Sequence, residues 1–193
     1  MAEPRKKRII VGVSGASGTL LARAVLQALR TFPEVETHLV LTEGAERTLA
    51  LESGAGSAVL TAFADVLNGA RDLGAPIASG SFRTDGMIVV PCSMKTAAGI
   101  ANGYSDNLLL RAADVVVKEQ RPLILVPREA PLSPIHLKNL LELSRLPGVR
   151  IIPPVLNNYQ HVVLVEELER QIALKLLTHL GLESSDYRRW TEG

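Results

Sequence analysis

The stretch Ile9–Thr19, Ile-Ile-Val-Gly-Val-Ser-Gly-Ala-Ser-Gly-Thr, constrains the fold of this chain more than any other. An apolar run with strand character breaks into a turn of glycines and serines. Leu21, Val25, Ala28 and Leu29 then follow at helical spacing. Strand, small-residue turn, helix is how an α/β protein offers backbone N–H groups to a phosphate. The first N–H groups of a helix have no partner within it, and the dipole there favours an anion. Side chains larger than those of Gly, Ala or Ser would hold a ligand away from the backbone. The stretch reads as the turn of a nucleotide-like cofactor site or as an ordinary tight βα connection.

The rest of the chain repeats that alternation. Strands are expected at 8–14, 35–42, 86–91, 122–127 and 149–152. Helices are expected at 18–31, 43–52, near 57–67, after the Cys92–Thr96 turn, from Asp106, from Ser133 and at 162–180. The runs 86–91 and 122–127 are continuously apolar, as in the interior of a parallel sheet. Phe32-Pro33 stops the first helix, because a residue before proline is pushed out of helical geometry. Asp106 is the expected N-cap of one later helix, and Ser133 with Pro134 opens another. In the closing helix Val165, Leu168, Ile172, Leu176 and Leu180 share a face. Strands alternating with helices imply a parallel sheet covered on both faces. Residues 1–7 are expected to form a flexible N-terminal arm and 8–193 a single domain.

Composition narrows the function classes. A chain of 193 residues, 47% hydrophobic, fits one domain with a substantial core. With 21 basic and 20 acidic residues the net charge is +1, which gives no global field for nucleic acid. The basic cluster Arg5-Lys6-Lys7-Arg8 reads as a solvated terminal arm, and the apolar run behind it is too short for a signal peptide. No run of about 18 apolar residues occurs, so no membrane span is expected. The single cysteine, Cys92, suits a reducing cytoplasm. CxxC, HExxH and clustered histidines are lacking, so no metal site is indicated.

Candidate chemistry gathers at strand ends. Ser14–Gly18, Thr42, Cys92–Thr96 and Arg128-Glu129 all follow expected strands, on the edge where open α/β sheets bind ligands. Gly12, Gly15 and Gly18 are spaced GxxGxxG rather than GxGxxG. Thr42 stands where a dinucleotide site places a ribose-binding acid, and an acid, Glu43, comes only one residue later, so the pattern leans to a mononucleotide and leaves NAD open. Arg128 suits a phosphate or a surface salt bridge. Ser79-Gly80-Ser81 is a second ligand-facing loop or a turn. By residue type alone Arg111, Lys118 and Lys175 are surface cations, Tyr159 a core residue and Glu52 a helix-end acid.

Several motifs together resemble the UbiX-like flavin prenyltransferases, nearly end to end, from about residue 8 to Trp190. They are Gly12-Val13-Ser14-Gly15-Ala16-Ser17-Gly18, Glu36-Thr37-His38-Leu39-Val40, Ser79-Gly80-Ser81-Phe82 and Pro91-Cys92-Ser93-Met94-Lys95-Thr96. Further along come Arg111-Ala112-Ala113-Asp114-Val115, Lys118-Glu119, Pro127-Arg128-Glu129-Ala130-Pro131-Leu132, Ile135-His136-Leu137 and Arg189-Trp190. The resemblance implies a Rossmann-like, flavodoxin-like three-layer flavoprotein that assembles as a homododecamer. It implies a metal-independent transferase that joins the dimethylallyl group of dimethylallyl phosphate to N5 and C6 of reduced FMN. The product, prenylated FMN, serves a separate UbiD-type decarboxylase. The rival expectation is an FMN-binding flavoprotein that decarboxylates its own substrate or only carries flavin.

The resemblance also implies roles for single residues. Gly15, Ala16, Ser17 and Thr42 match flavin contacts, as do Ser93, Met94, Lys95 and Thr96. Arg128 matches a flavin-contacting arginine that also lies near the phosphate. Lys118, Glu129, Tyr159 and Lys175, with Arg111, match positions around dimethylallyl phosphate. Glu52 and Ser17 match a pair implicated in proton handling at the flavin. One departure is visible. Where the family commonly reads x-Pro-Ala-Phe-Tyr, this chain reads Val155-Leu156-Asn157-Asn158-Tyr159. The tyrosine is kept and two amides replace its apolar predecessors.

Overall fold

The computed structural model describes residues 5–156 and 162–189. Among them six strands form one sheet: β1 (Lys7–Val13), β2 (Val35–Leu41), β3 (Val66–Asn68), β4 (Gly86–Cys92), β5 (Leu123–Pro127) and β6 (Val149–Ile151). Every neighbouring pair is parallel, in the order β3-β2-β1-β4-β5-β6. The helices are α1 (Thr19–Leu29), α2 (Glu43–Ser53), α3 (Ala58–Thr61), α4 (Met94–Ala101), α5 (Leu108–Lys118), α6 (Pro134–Ser144) and α7 (Val165–Thr178). A short 3₁₀ turn covers Pro76–Ala78.

Period-two alternation along the strands divides the core. Ile9, Val11 and Val13 of β1 face α1, α2, α3 and α7. Ile10, with Met87 and Val89 of β4, faces α4, α5 and α6. Both faces of the central strands are therefore apolar, as a doubly covered parallel sheet requires. The chain runs outward from β1 to β2 to β3, then returns to lay β4 on the other side of β1. That reversal leaves a crevice beyond the carboxyl ends of β1 and β4, where ligands of such sheets bind.

Three expectations need correction. The helix expected near 57–67 stops at Thr61, and Val66–Asn68 forms the edge strand β3. Asp65 redirects the chain: its N–H donates to the Thr37 carbonyl at 3.1 Å and its carboxylate accepts from the Thr37 N–H at 2.8 Å. This pairing draws the next three residues onto the edge of β2. The N-cap of α5 is Asn107, not Asp106. The Asn107 Oδ1 accepts from the Leu110 N–H at 3.0 Å, while Asp106 accepts from the Asn107 side chain at 2.9 Å. The closing helix begins at Val165, three residues later than expected.

The basic cluster near the N-terminus is partly built into the fold. Lys7 opens β1, Arg8 bonds Glu36 at 2.9 Å, and Arg5 pairs with Asp85 at 2.7 Å. Among the described residues no helix is long and apolar enough to cross a membrane, and no cluster of His, Cys, Asp and Glu could hold a metal ion.

Candidate active site

The turns after β1 and β4 are laced by one buried hydroxyl. Ser14, 1% exposed, donates from its N–H and its Oγ to the Pro91 carbonyl at 3.3 and 2.9 Å. The same Oγ accepts from the Ser93 N–H at 2.8 Å. The turn after β2 joins them, since the Thr42 N–H donates to the Val13 carbonyl at 3.1 Å. Gly15 then lies against Gly44, and a Cβ at Gly15 would sit 2.9 Å from the Gly44 backbone. A side chain there would push the β1 and β2 turns apart.

These turns border a cavity of about 440 Å³ at the carboxyl edge of the sheet. Gly15, Thr42, Ser93, Lys95 and Thr96 line it, as the strand-end reading anticipates. Two helices start at its wall. Thr42 caps α2 by accepting from the Ala45 N–H at 3.2 Å, and Ser93 caps α4 by accepting from the Thr96 N–H at 3.3 Å. Both helices thus direct their positive ends to the cavity. Met94 is buried in the first turn of α4, with its side chain in the core. Ala16 is tied inside the β1 turn, its N–H donating to the Ser14 carbonyl at 2.8 Å.

The first turn of α1 differs from expectation. The two N–H groups that open it are not free for a phosphate, because the Glu52 carboxylate already holds them. The N–H groups of Gly18 and Thr19 each donate to Glu52 at 2.8 Å, and the Thr19 hydroxyl donates at 2.5 Å. Glu52 is therefore not a solvated helix-end acid. Burial raises its pKa, but the hydroxyls of Thr19 and Ser17 and the two N–H groups outweigh that and hold it below the ordinary carboxylate value. Ser17 and Glu52 are brought together, with Glu52 in the ionised form.

A second group of candidates gathers along α5. The Arg111 Nε donates to the Ala78 carbonyl at 3.1 Å, and its guanidinium pairs with Asp114 at 2.7 Å. Two turns on, the Lys118 Nζ pairs with Glu119 at 2.6 Å beside Gly80. The loop 78–81 thus sets both cations along one stretch of backbone. Its Ser79 and Ser81 hydroxyls bond each other at 2.9 Å. The loop returns to β4 at the amino edge of the sheet. Along α5, Lys118 lies eight residues, roughly 12 Å, beyond Leu110 in the cavity wall.

Arg128 and Glu129 follow β5 at the carboxyl edge of the sheet, exposed, with the Arg128 N–H tied to the Cys92 carbonyl at 3.2 Å, next to the β4 turn. Lys175 lies in the last turn of α7, on the opposite face of the sheet from α5. Tyr159, Asn157, Asn158 and Trp190 lie outside the described residues. A single chain therefore brings Ser17 to Glu52 and Arg128 to the β4 turn, and sets Arg111 and Lys118 along the loop 78–81.

The Flavoprotein family model matches residues 2–171. Flavin prenyltransferase LpdB of Lactiplantibacillus plantarum is 50% identical over 184 residues, covering 95% of this chain and 98% of its own. This chain belongs to the UbiX-like flavin prenyltransferases. The UbiX-like protein of Escherichia coli O157:H7, described as a dodecameric FMN-dependent decarboxylase, superposes with a TM-score of 0.92 at 51% identity, covering 96% of this chain and 100% of that one. AnUbiX, solved with FMN and dimethylallyl pyrophosphate, gives a TM-score of 0.93 at 46% identity, covering 98% and 100%. The fold is accordingly the flavodoxin-like α/β sandwich of this family.

Several residues that line the cavity of this UbiX-like chain escaped the sequence reading: Gly44, Arg47, Arg71, Asn107 and Leu110. Gly44 and Arg47 follow Thr42 in the first turns of α2, so the strand-end rule could have extended to them. Arg71 follows β3, and its position at the carboxyl edge is legible only once that strand is recognised.

Proposed function

We propose that this chain is a flavin prenyltransferase. It joins the dimethylallyl group of dimethylallyl phosphate to reduced FMN and delivers prenylated FMN to a UbiD-type decarboxylase. The activity belongs to one domain spanning residues 8–193, acting in the cytoplasm. The observation that carries this reading is the cavity at the switch point, about 440 Å³ in volume. It lies within the roughly 300–1,000 Å³ typical of small-molecule sites. Arg47, Lys95 and the starts of α2 and α4 supply positive charge for a phosphate beside the acids Glu43 and Asp106, and Leu110 and Ala70 give the cavity an apolar wall. These residues fit a flavin mononucleotide.

Bound reduced FMN supplies nucleophilic atoms N5 and C6 and a π-rich face for the allylic group. The protein supplies the rest. Gly15, Ala16, Ser17, Thr42 and Ser93–Thr96 hold the acceptor. Arg111, Lys118, Arg128 and Lys175 are assigned to the departing phosphate, and Tyr159 and Glu129 are assigned to the same set. Breaking an allylic C–O bond places negative charge on that phosphate, and cations aimed there stabilise the transition state more than the ground state. Glu52, ionised and joined to Ser17, is the base that takes the proton lost at C6.

The separation of Lys118 from the cavity supports a site shared between copies of the chain. One copy contributes the flavin cavity, and another contributes the loop 78–81 with its cations. The dodecameric E. coli relative accords with such sharing. Lys118→Met tests the cation's role. We expect kcat with dimethylallyl phosphate to fall on the order of 100-fold, with FMN affinity kept. Unchanged turnover would remove Lys118 from the mechanism.

A further inference from the structure

Lys118 does not stand alone. Its ammonium pairs with Glu119 Oε1 at 2.6 Å, and Glu119 Oε2 faces the Arg121 guanidinium at 3.7 Å. Arg121 is only 15% exposed at its side chain, which is low for an arginine remote from the flavin cavity. It donates to the Gly80 carbonyl at 2.8 Å, to the Thr84 hydroxyl at 3.1 Å and to the Phe82 carbonyl at 3.3 Å. The loop it holds is the one on which Lys118 rests. A Cβ at Gly80 would lie 2.3 Å from Glu119 Oε1 and 2.8 Å from Lys118 Nζ.

We propose that Arg121 is a positioning residue for prenyl transfer: through Glu119 and the Gly80 loop it fixes where the Lys118 ammonium is presented. This rests on the role of Lys118 in the reading above. The physical case is that an exposed lysine has a long, flexible stem and wanders unless held. A surface Lys–Glu pair by itself holds it weakly. Arg121 changes that, because its planar fork pins the loop backbone from one side and Glu119 from the other. Gly80 then lets the loop lie directly against the ion pair. The assembly restricts the ammonium to one place, and displacement by about 1 Å is enough to lose much of a transition-state contact.

A double-mutant cycle tests this. Arg121→Met, Arg121→Lys and Glu119→Gln are each made in the Lys118 protein and in the Lys118→Met background, and folding is checked by thermal melting. In the Lys118 protein we expect kcat to fall on the order of ten-fold for the Arg121 variants and less for Glu119→Gln, with KM and FMN affinity within about two-fold. In the Lys118→Met background the same changes should add little, because the group they position is gone. Gly80→Ala, whose methyl group must displace the ion pair, should reproduce the loss. Equal losses in both backgrounds would overturn the inference while leaving Lys118 in place. Full activity of Gly80→Ala or of the Arg121 variants would do the same. If Lys118→Met itself costs nothing, the reading on which the inference rests fails first.

Discussion

At the scale of single residues, Glu52 carries the clearest consequence. It caps α1 with bonds from two N–H groups and a hydroxyl, all three seeking negative charge. Glu52→Gln keeps the shape but loses the charge, and should cost about 1 kcal/mol of stability. Because its folded pKa is depressed, its contribution is fully present above the ordinary carboxylate pKa. It is lost as pH falls through the depressed value. Melting temperatures of the two proteins should therefore differ most near neutrality and converge in acid. A gap that stays constant down to acid pH would show that the charge is not what Glu52 contributes. The same variant should slow formation of the bond at C6, and formation of that bond at the normal rate would remove Glu52 as the base. Residue spacing alone did not make this cap legible, since Glu52 ends α2 and Gly18 lies 34 residues away; only the family resemblance paired Glu52 with the neighbouring Ser17. Local spacing carries no trace of a bond that tertiary packing makes.

Among elements, the β1 and β4 turns act as one unit through Ser14. Ser14→Ala would leave the half-buried Ser93 N–H without its partner, with a cost of about 1 kcal/mol. It would also loosen the start of α4 against the β1 turn. We expect the melting temperature to drop by several degrees and FMN to bind more weakly, measured by flavin fluorescence titration. A protein with lower stability and unchanged FMN affinity would show that the lacing serves folding alone. The two turns were readable separately, because each breaks an apolar strand with small polar residues. Their joint geometry was not, since it depends on β4 lying next to β1. The edge strand β3 was missed for a related reason. Three residues are too few for a period, and the Asp65–Thr37 pairing that directs them is long-range.

Across the whole molecule, strand order decides where chemistry can happen. The alternation of apolar runs and helical periods made the α/β class legible, and the reversal after β3 then fixes the cavity between β1 and β4. What the sequence motifs could not convey is distance. Lys118 and Glu52 both match site positions, yet within one chain Lys118 lies at the amino edge of the sheet and the cavity-lining turns at the carboxyl edge. If active sites are shared between copies, Lys118→Met and Glu52→Gln subunits should complement each other. Mixed oligomers should regain a measurable fraction of wild-type turnover that neither parent shows. Mixed oligomers no more active than their parents would place both residues of each site in one chain.

The central claim is prenyl transfer to flavin, and the most direct measurement is anaerobic incubation with reduced FMN and dimethylallyl phosphate, followed by mass analysis of the extracted flavin. A flavin heavier by one C5H8 unit, formed in proportion to time and enzyme, is the predicted result. Unmodified FMN recovered from protein that demonstrably binds both ligands would contradict it.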